Sequence, residues 1–228
     1  MDKPLMNFTS STRQEPEVEE PRWPAVIALL AVGGLYLAVP ESLSVGPRWL
    51  LMVVVGALLI PTIVTHHRGQ FHWNQVFGFL ATGVVTLAMV ASLTLLVLAL
   101  PQHKEQAPDL LRSAGALWAT NVLVFALWYW RLDAGGPNQR DMKAGHTDGA
   151  FLFPQMAMDE DLKRETGETD WSPGFVDYLF LAFNTSTALS PTDTAVLSRW
   201  AKLLTMIQAL ISLTIIALLA ARAVNILS

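Results

Sequence analysis

Four apolar runs occupy most of the first 130 positions. They are WPAVIALLAVGGLYLAV (23–39), WLLMVVVGALLIPTIV (49–64), VFGFLATGVVTLAMVASLTLLVLAL (76–100) and AGALWATNVLVFALWYW (114–130). Crossing about 30 Å of hydrocarbon takes roughly 20 helical residues, and fewer where the flanks sit well in the interface. The third run is long enough to span with tilt. The other three are shorter but carry Trp and Arg near their ends, and Trp23, Trp49, Trp73, Trp128 and Trp130 read as interfacial anchors. Pro40, Pro47 and Pro101 mark helix edges, while Pro61 lies inside a run and predicts a kink.

The pattern changes at 131–173, which is polar, rich in turn residues and acidic toward its end. Gly135-Gly136-Pro137 is a turn signal. Asp159 to Glu168 suits a short surface helix, and the apolar island FLFPQM (151–156) is expected to fold back on the bundle or the membrane surface. GFVDYLFLAFNTSTALSPT (174–192) is apolar first and polar second, and a long apolar helix follows at 197–227. Within it Ser198, Lys202, Thr205, Gln208 and Ser212 recur at helical spacing and fall on one face. That face should turn to protein or water.

These elements predict an all-α integral membrane protein with five long transmembrane helices. A short polar segment is added to them, either re-entrant or a sixth crossing. The expected organisation is a disordered tail (1–22), a four-helix membrane domain (23–130), a polar extramembrane loop (131–173), and a hairpin with the final helix (174–228).

Composition sharpens this. Only 15% of residues are charged, against about a quarter in a soluble domain. Net charge is −4 and the basic residues are scattered, which removes the electrostatic case for nucleic-acid binding. The absence of cysteine excludes disulfides, thiol catalysis and Cys-ligated zinc. Residues 1–22 lack the basic start of a signal peptide. Cytoplasmic loops are rich in Lys and Arg. With the N-terminus inside and six crossings, only Arg48, Lys104, Arg112, Arg199 and Lys202 of the 15 basic residues lie outside. With a re-entrant 174–192 only Arg48, Lys104, Arg112 and Arg222 do. Both arrangements put the N-terminus in the cytoplasm.

The densest polar set at membrane level is Asn184, Thr185, Ser186, Thr187, Ser190, Thr192 and Asp193. Polar groups in hydrocarbon need partners or a wet cavity. One reading is an ion or solute path through 174–212, continued by Lys202, Thr205, Gln208 and Ser212. The other is a hairpin whose hydroxyls bond nearby backbone. In SPTD, Pro191 sets a turn and Asp193 is expected to cap the last helix. Asp177 is expected at headgroup level. Asn121, near the middle of the fourth run, should make an interhelical hydrogen bond, and Thr82 and Thr86 should bond their own helix or a neighbour. His66, His67 and His72 cluster in sequence, but adjacent histidines on a helix diverge, and a solvated loop is expected rather than a metal site. Neither a phosphate-binding glycine motif, a nucleophile elbow nor a zinc-protease helix is present, so no enzyme, metal or cofactor is expected.

Two resemblances follow from the C-terminal half. Asp177-Tyr-Leu-Phe-Leu-Ala-Phe183, a Thr/Ser tract, Asp193 and then Arg199-Trp-Ala-Lys-Leu-Leu-Thr-Met206 resemble the pore helix, filter and inner helix of two-helix potassium channels. Thr187 and Asp193 match the ends of that family's filter tract. The two glycines between them are missing and one residue is extra. A filter lines its pore with backbone carbonyls at angles glycine permits, so potassium-type selectivity is not expected. WYWRLDAGGP (128–137), FLFPQM, DYLFLAF, SPTDT (190–194), SRWAKLL (198–204) and AARAVNIL (220–227) together resemble a family of uncharacterised bacterial inner-membrane proteins. That resemblance implies a bacterial inner-membrane location and no defined chemistry. The functional expectation is a channel-like conductor in contact with the lipid bilayer. It would act as a homo-oligomer, because one hairpin cannot enclose a pore. The alternative is a non-conducting scaffold or sensor whose 131–173 loop contacts a partner.

Overall fold

The computed structural model describes residues 20–99, 107–142, 149–169, 171–187 and 193–227, with backbone only at 107 and 222–227. The fold is all-α. Among the described residues four helices are long and apolar enough to cross a membrane: α2 (Arg48–His67), α3 (Phe71–Ala99), α4 (Ala107–Leu132) and α8 (Arg199–Leu227). α1 (Trp23–Tyr36) is shorter than the run that predicts it. Past Tyr36 the amides of Leu37, Ala38 and Val39 each bond three residues back, so the last turn tightens ahead of Pro40 and the helix stops. The expected fifth long helix is therefore a helix of 14 residues.

α4 is the hub. In its most apolar window 67% of residues are buried, against 17% in α8. α1, α3, α7 and α8 all pack on it, whereas α2 packs on α1 and α3 and leaves Trp49, Val53 and Ile60 exposed. Tyr36 ties the first loop to α3, its hydroxyl accepting from Val45 N and Ser92 Oγ at 3.0 Å each.

The described residues of 131–173 carry short helices and a strand that form a cap. α4 ends where Gly136 takes φ +90; a Cβ there would stand 2.7 Å from the Arg131 carbonyl oxygen, so the turn requires glycine. α5 (Pro137–Asp141) follows, and Arg140 reaches back to donate to the Trp130 and Asp133 carbonyl oxygens at 2.8 and 3.0 Å. It thereby satisfies acceptors that the end of α4 leaves without helical partners. α6 (Glu160–Thr166) is the short surface helix, capped by Asp159 and closed by Gly167. β1 (Phe151–Leu152) pairs antiparallel with β2 (Ala195–Val196), Phe151 opposite Val196. Phe151 and Phe153 are buried, edge-on to Tyr129 and Tyr178.

α7 (Phe175–Thr187) has 13 residues, about 20 Å of helix. It starts beside the end of α4, where Phe175 meets Trp130. α8 starts at the same end, with Trp200 against Phe151. The two helices run parallel: Gln208 bonds to Ala182 and Ser212 to Ser186, both pairs 26 residues apart.

Candidate functional site

Two groups of polar side chains are buried in this frame. The first lies where α4, α7 and α8 meet. Gln208 Nε2 donates to the Ala182 carbonyl oxygen at 2.7 Å and to Ser186 Oγ at 2.8 Å, and its Oε1 accepts from the Tyr129 hydroxyl. Ser212 Oγ donates to the Ser186 carbonyl oxygen at 2.5 Å. Asn121 Nδ2 approaches Ser186 Oγ and the Gln208 carbonyl oxygen, each at 3.4 Å. Asn121, Ser186, Gln208 and Ser212 are all within 1% of complete burial. The Asn121 Oδ1 atom is the one side-chain acceptor of this group with no partner.

The last described carbonyls of α7, level with the middle of α4, take side-chain donors. Ser212 supplies one to Ser186, and Thr187 Oγ1 supplies one to Asn184 at 3.0 Å. Thr185 bonds back to the Leu181 carbonyl oxygen at 2.9 Å and Thr205 to that of Ala201.

Of the residues the sequence marks as a path, the fold therefore gathers Ser186, Gln208 and Ser212, with Asn121 joining them from α4. Asn184, Thr185, Thr187 and Thr205 lie half-buried around them. Lys202 and Asp193 are exposed and outside the group, and Ser190 and Thr192 fall outside the described residues. Asp193 is not the cap of α8. Ser198 is, its Oγ accepting from Ala201 N at 3.3 Å, because α8 begins at Arg199 and only the residue just before a helix has its side chain in reach of the first amides. Asp177 sits in the first turn of α7 and accepts from Gly174 N at 2.8 Å.

The second group, at the C-terminal end of α4, is ionic and is not marked by any local sequence motif. Glu20 accepts from Arg140 Nη2 at 2.9 Å, from Arg22 Nη1 at 3.3 Å and from Trp130 Nε1. Arg22 also pairs with Asp141. Asp133 is fully buried, accepting from Tyr178 Oη at 2.7 Å and Ala150 N at 2.5 Å. Arg140 lies over the Tyr178 ring, 5.1 Å from its centre. Trp130, expected as an interfacial anchor, is instead buried here, since its indole N–H has a carboxylate to meet. Trp23, Trp49 and Trp73 are exposed at helix ends. The only sequence signal for this group is Arg131 and Asp133 beside the Gly-Gly-Pro turn; the partners at positions 20 and 22 lie over a hundred residues away. Among the described residues no three of His, Asp and Glu are grouped to hold a metal ion.

Comparison with protein-family models, curated proteins and solved structures yields no match. The resemblances of the C-terminal half therefore rest on their motifs alone.

Proposed function

We propose that this chain is a non-conducting integral membrane protein, a scaffold or sensor, in which α7 is a re-entrant half-helix that wedges α8 against α4. The observation carrying this reading is that the fully buried polar side chains of α7 and α8, Ser186, Gln208 and Ser212, bond between the two helices. Gln208 and Ser212 donate to the Ala182 and Ser186 carbonyl oxygens, which supports a structural role for them. A conducting route needs polar groups that trade partners with a passing ion. Groups that cap a buried helix end are held in place by the backbone they satisfy.

Five crossings, α1 to α4 and α8, make up the membrane domain on this reading, with α1 the shortest. The chain between Thr187 and Ala195 is long enough, at roughly 3.3–3.6 Å per residue, to retrace the about 20 Å of α7. The re-entrant arrangement also gives the stronger excess of Lys and Arg on the N-terminal side, which favours a cytoplasmic N-terminus. The cap formed by α5, α6 and the β1–β2 pair then faces the cytoplasm and offers the surface for a partner. A bacterial inner-membrane location rests on the motif resemblance.

The test is flux. Purified protein in liposomes, with cation and anion gradients applied in turn, is expected to leak no faster than protein-free vesicles. Flux that Thr187→Val or Asp193→Asn alters would restore the channel-like reading.

A further inference from the structure

Among the described residues Arg131 is the guanidinium of the α4 end with no carboxylate partner. It is 7% exposed. Its Nε donates to Thr82 Oγ1 at 3.1 Å and its head lies over the Trp130 ring, 5.2 Å from the centre. The nearby acids are otherwise engaged: Glu20 by Arg22 and Arg140, Asp141 by Arg22, and Asp133 by Tyr178 and Ala150. The two terminal nitrogens of Arg131 donate to no described protein group, yet they are not sealed from solvent.

The space for this head is built in. A Cβ on Gly78 would fall 1.9 Å from Nη1 and 2.4 Å from Cζ, so the guanidinium packs against α3 at a position where glycine leaves it room. Arg131 also lines a cleft of about 190 Å³ between the start of α3 and the α4–α5 turn. Asn74, Gln75, Asn138, Gln139 and His72 share the walls, and no Asp or Glu does. Asn138 Nδ2 bonds Asn74 Oδ1 at 3.2 Å, and Gln75 reaches the Gly135 carbonyl oxygen at 3.5 Å, which braces the walls across the two helices.

A desolvated guanidinium is costly without a counter-charge. Its planar fork suits two oxygens of one oxyanion. The cleft is walled by polar side chains and has room for a phosphate group. It opens at the end of two spanning helices, beside exposed Phe71 and Trp73, at the level where phosphate headgroups meet water. We propose that this cleft binds a phosphate-class oxyanion on the Arg131 guanidinium, supplied by a lipid headgroup or by a free anion. The site stands whether or not the protein conducts, since none of its residues belongs to the Gln208 network.

The experiment is calorimetric titration of the full chain in maltoside micelles with three probes. They are inorganic phosphate, a short-chain phosphatidylglycerol, and a short-chain diacylglycerol that lacks phosphate. At least one phosphate-bearing probe is expected to bind, and the diacylglycerol is not. Binding of inorganic phosphate marks a site for free anions, and binding of the phospholipid alone marks a headgroup site. Arg131→Gln is expected to weaken binding about tenfold or more, as loss of a charged hydrogen-bond donor pair does. Gln139→Glu, at an exposed position, sets a carboxylate on the wall of the cleft that Arg131 lines and is expected to weaken binding to a similar degree. If Arg131→Gln fails to fold, Gln139→Glu decides. The proposal is overturned if neither phosphate-bearing probe binds, if diacylglycerol binds equally well, or if the folded variants bind as the wild type does.

Discussion

Ser212 Oγ on α8 donates to the Ser186 carbonyl oxygen on α7 at 2.5 Å. This contact supplies a side-chain donor to one of the last described carbonyls of α7. It also fixes the register of two parallel helices, together with the Gln208–Ala182 bond one turn away. The polar stripe of α8 brings Gln208 and Ser212 onto two carbonyls of α7.

The seam has a measurable strength. Gln208→Leu keeps bulk but leaves the Tyr129 hydroxyl, Ser186 Oγ and Ala182 without their partner. It is expected to cost about 1–3 kcal/mol in detergent unfolding. Ser212→Ala removes one bond and is expected to cost about 0.5–1.5 kcal/mol. Wild-type stability in both variants would show that the network contributes nothing.

Topology can be read chemically because the chain has no cysteine. Single cysteines at Lys163, on α6, and at Arg199, at the start of α8, are expected to react with a membrane-impermeant thiol reagent from the same side. A cysteine at Arg48 should react from the opposite side. If Arg199→Cys labels together with Arg48→Cys, α7 crosses the membrane and the re-entrant arrangement fails.

Asp133 joins the cap to α7 through Tyr178. In a double-mutant cycle with Asp133→Ala and Tyr178→Phe the coupling energy is expected at about 1–3 kcal/mol, since the acceptor is charged and fully buried. Additive losses would mean that the two groups act independently.

Glycines on one helix should respond oppositely to added methyl groups. Gly78→Ala drives a Cβ into the Arg131 head and is expected to destabilise the protein. Gly83, five residues on, has nothing within 4 Å of its added Cβ. There Gly83→Ala is expected to be neutral or to stabilise by up to about 1 kcal/mol, from the lower backbone entropy of the unfolded chain. Melting temperatures of the two variants in one detergent make the comparison. Equal shifts would remove Gly78 as the floor of the Arg131 site.

The all-α class and the helices long enough to cross a membrane were legible in the chain, because hydrocarbon burial acts on each run of some 20 residues by itself. Asn121 was also readable, as an isolated amide in an apolar run must find a partner. What the sequence could not assign was direction. The same Ser, Thr and Gln pattern suits a water-lined path and a buried helix end, and only the parallel packing of α7 on α8 shows which carbonyls those side chains meet. The ionic cap was hidden for a related reason. Glu20 and Arg140 are ordinary charges in polar stretches, and their 2.9 Å pairing exists only because the start of α1 and the end of α4 come to one end of the bundle. Apolar periodicity is a local property of the chain and survives in the sequence. Polar partnership is a property of packing, and the tertiary structure alone decides it.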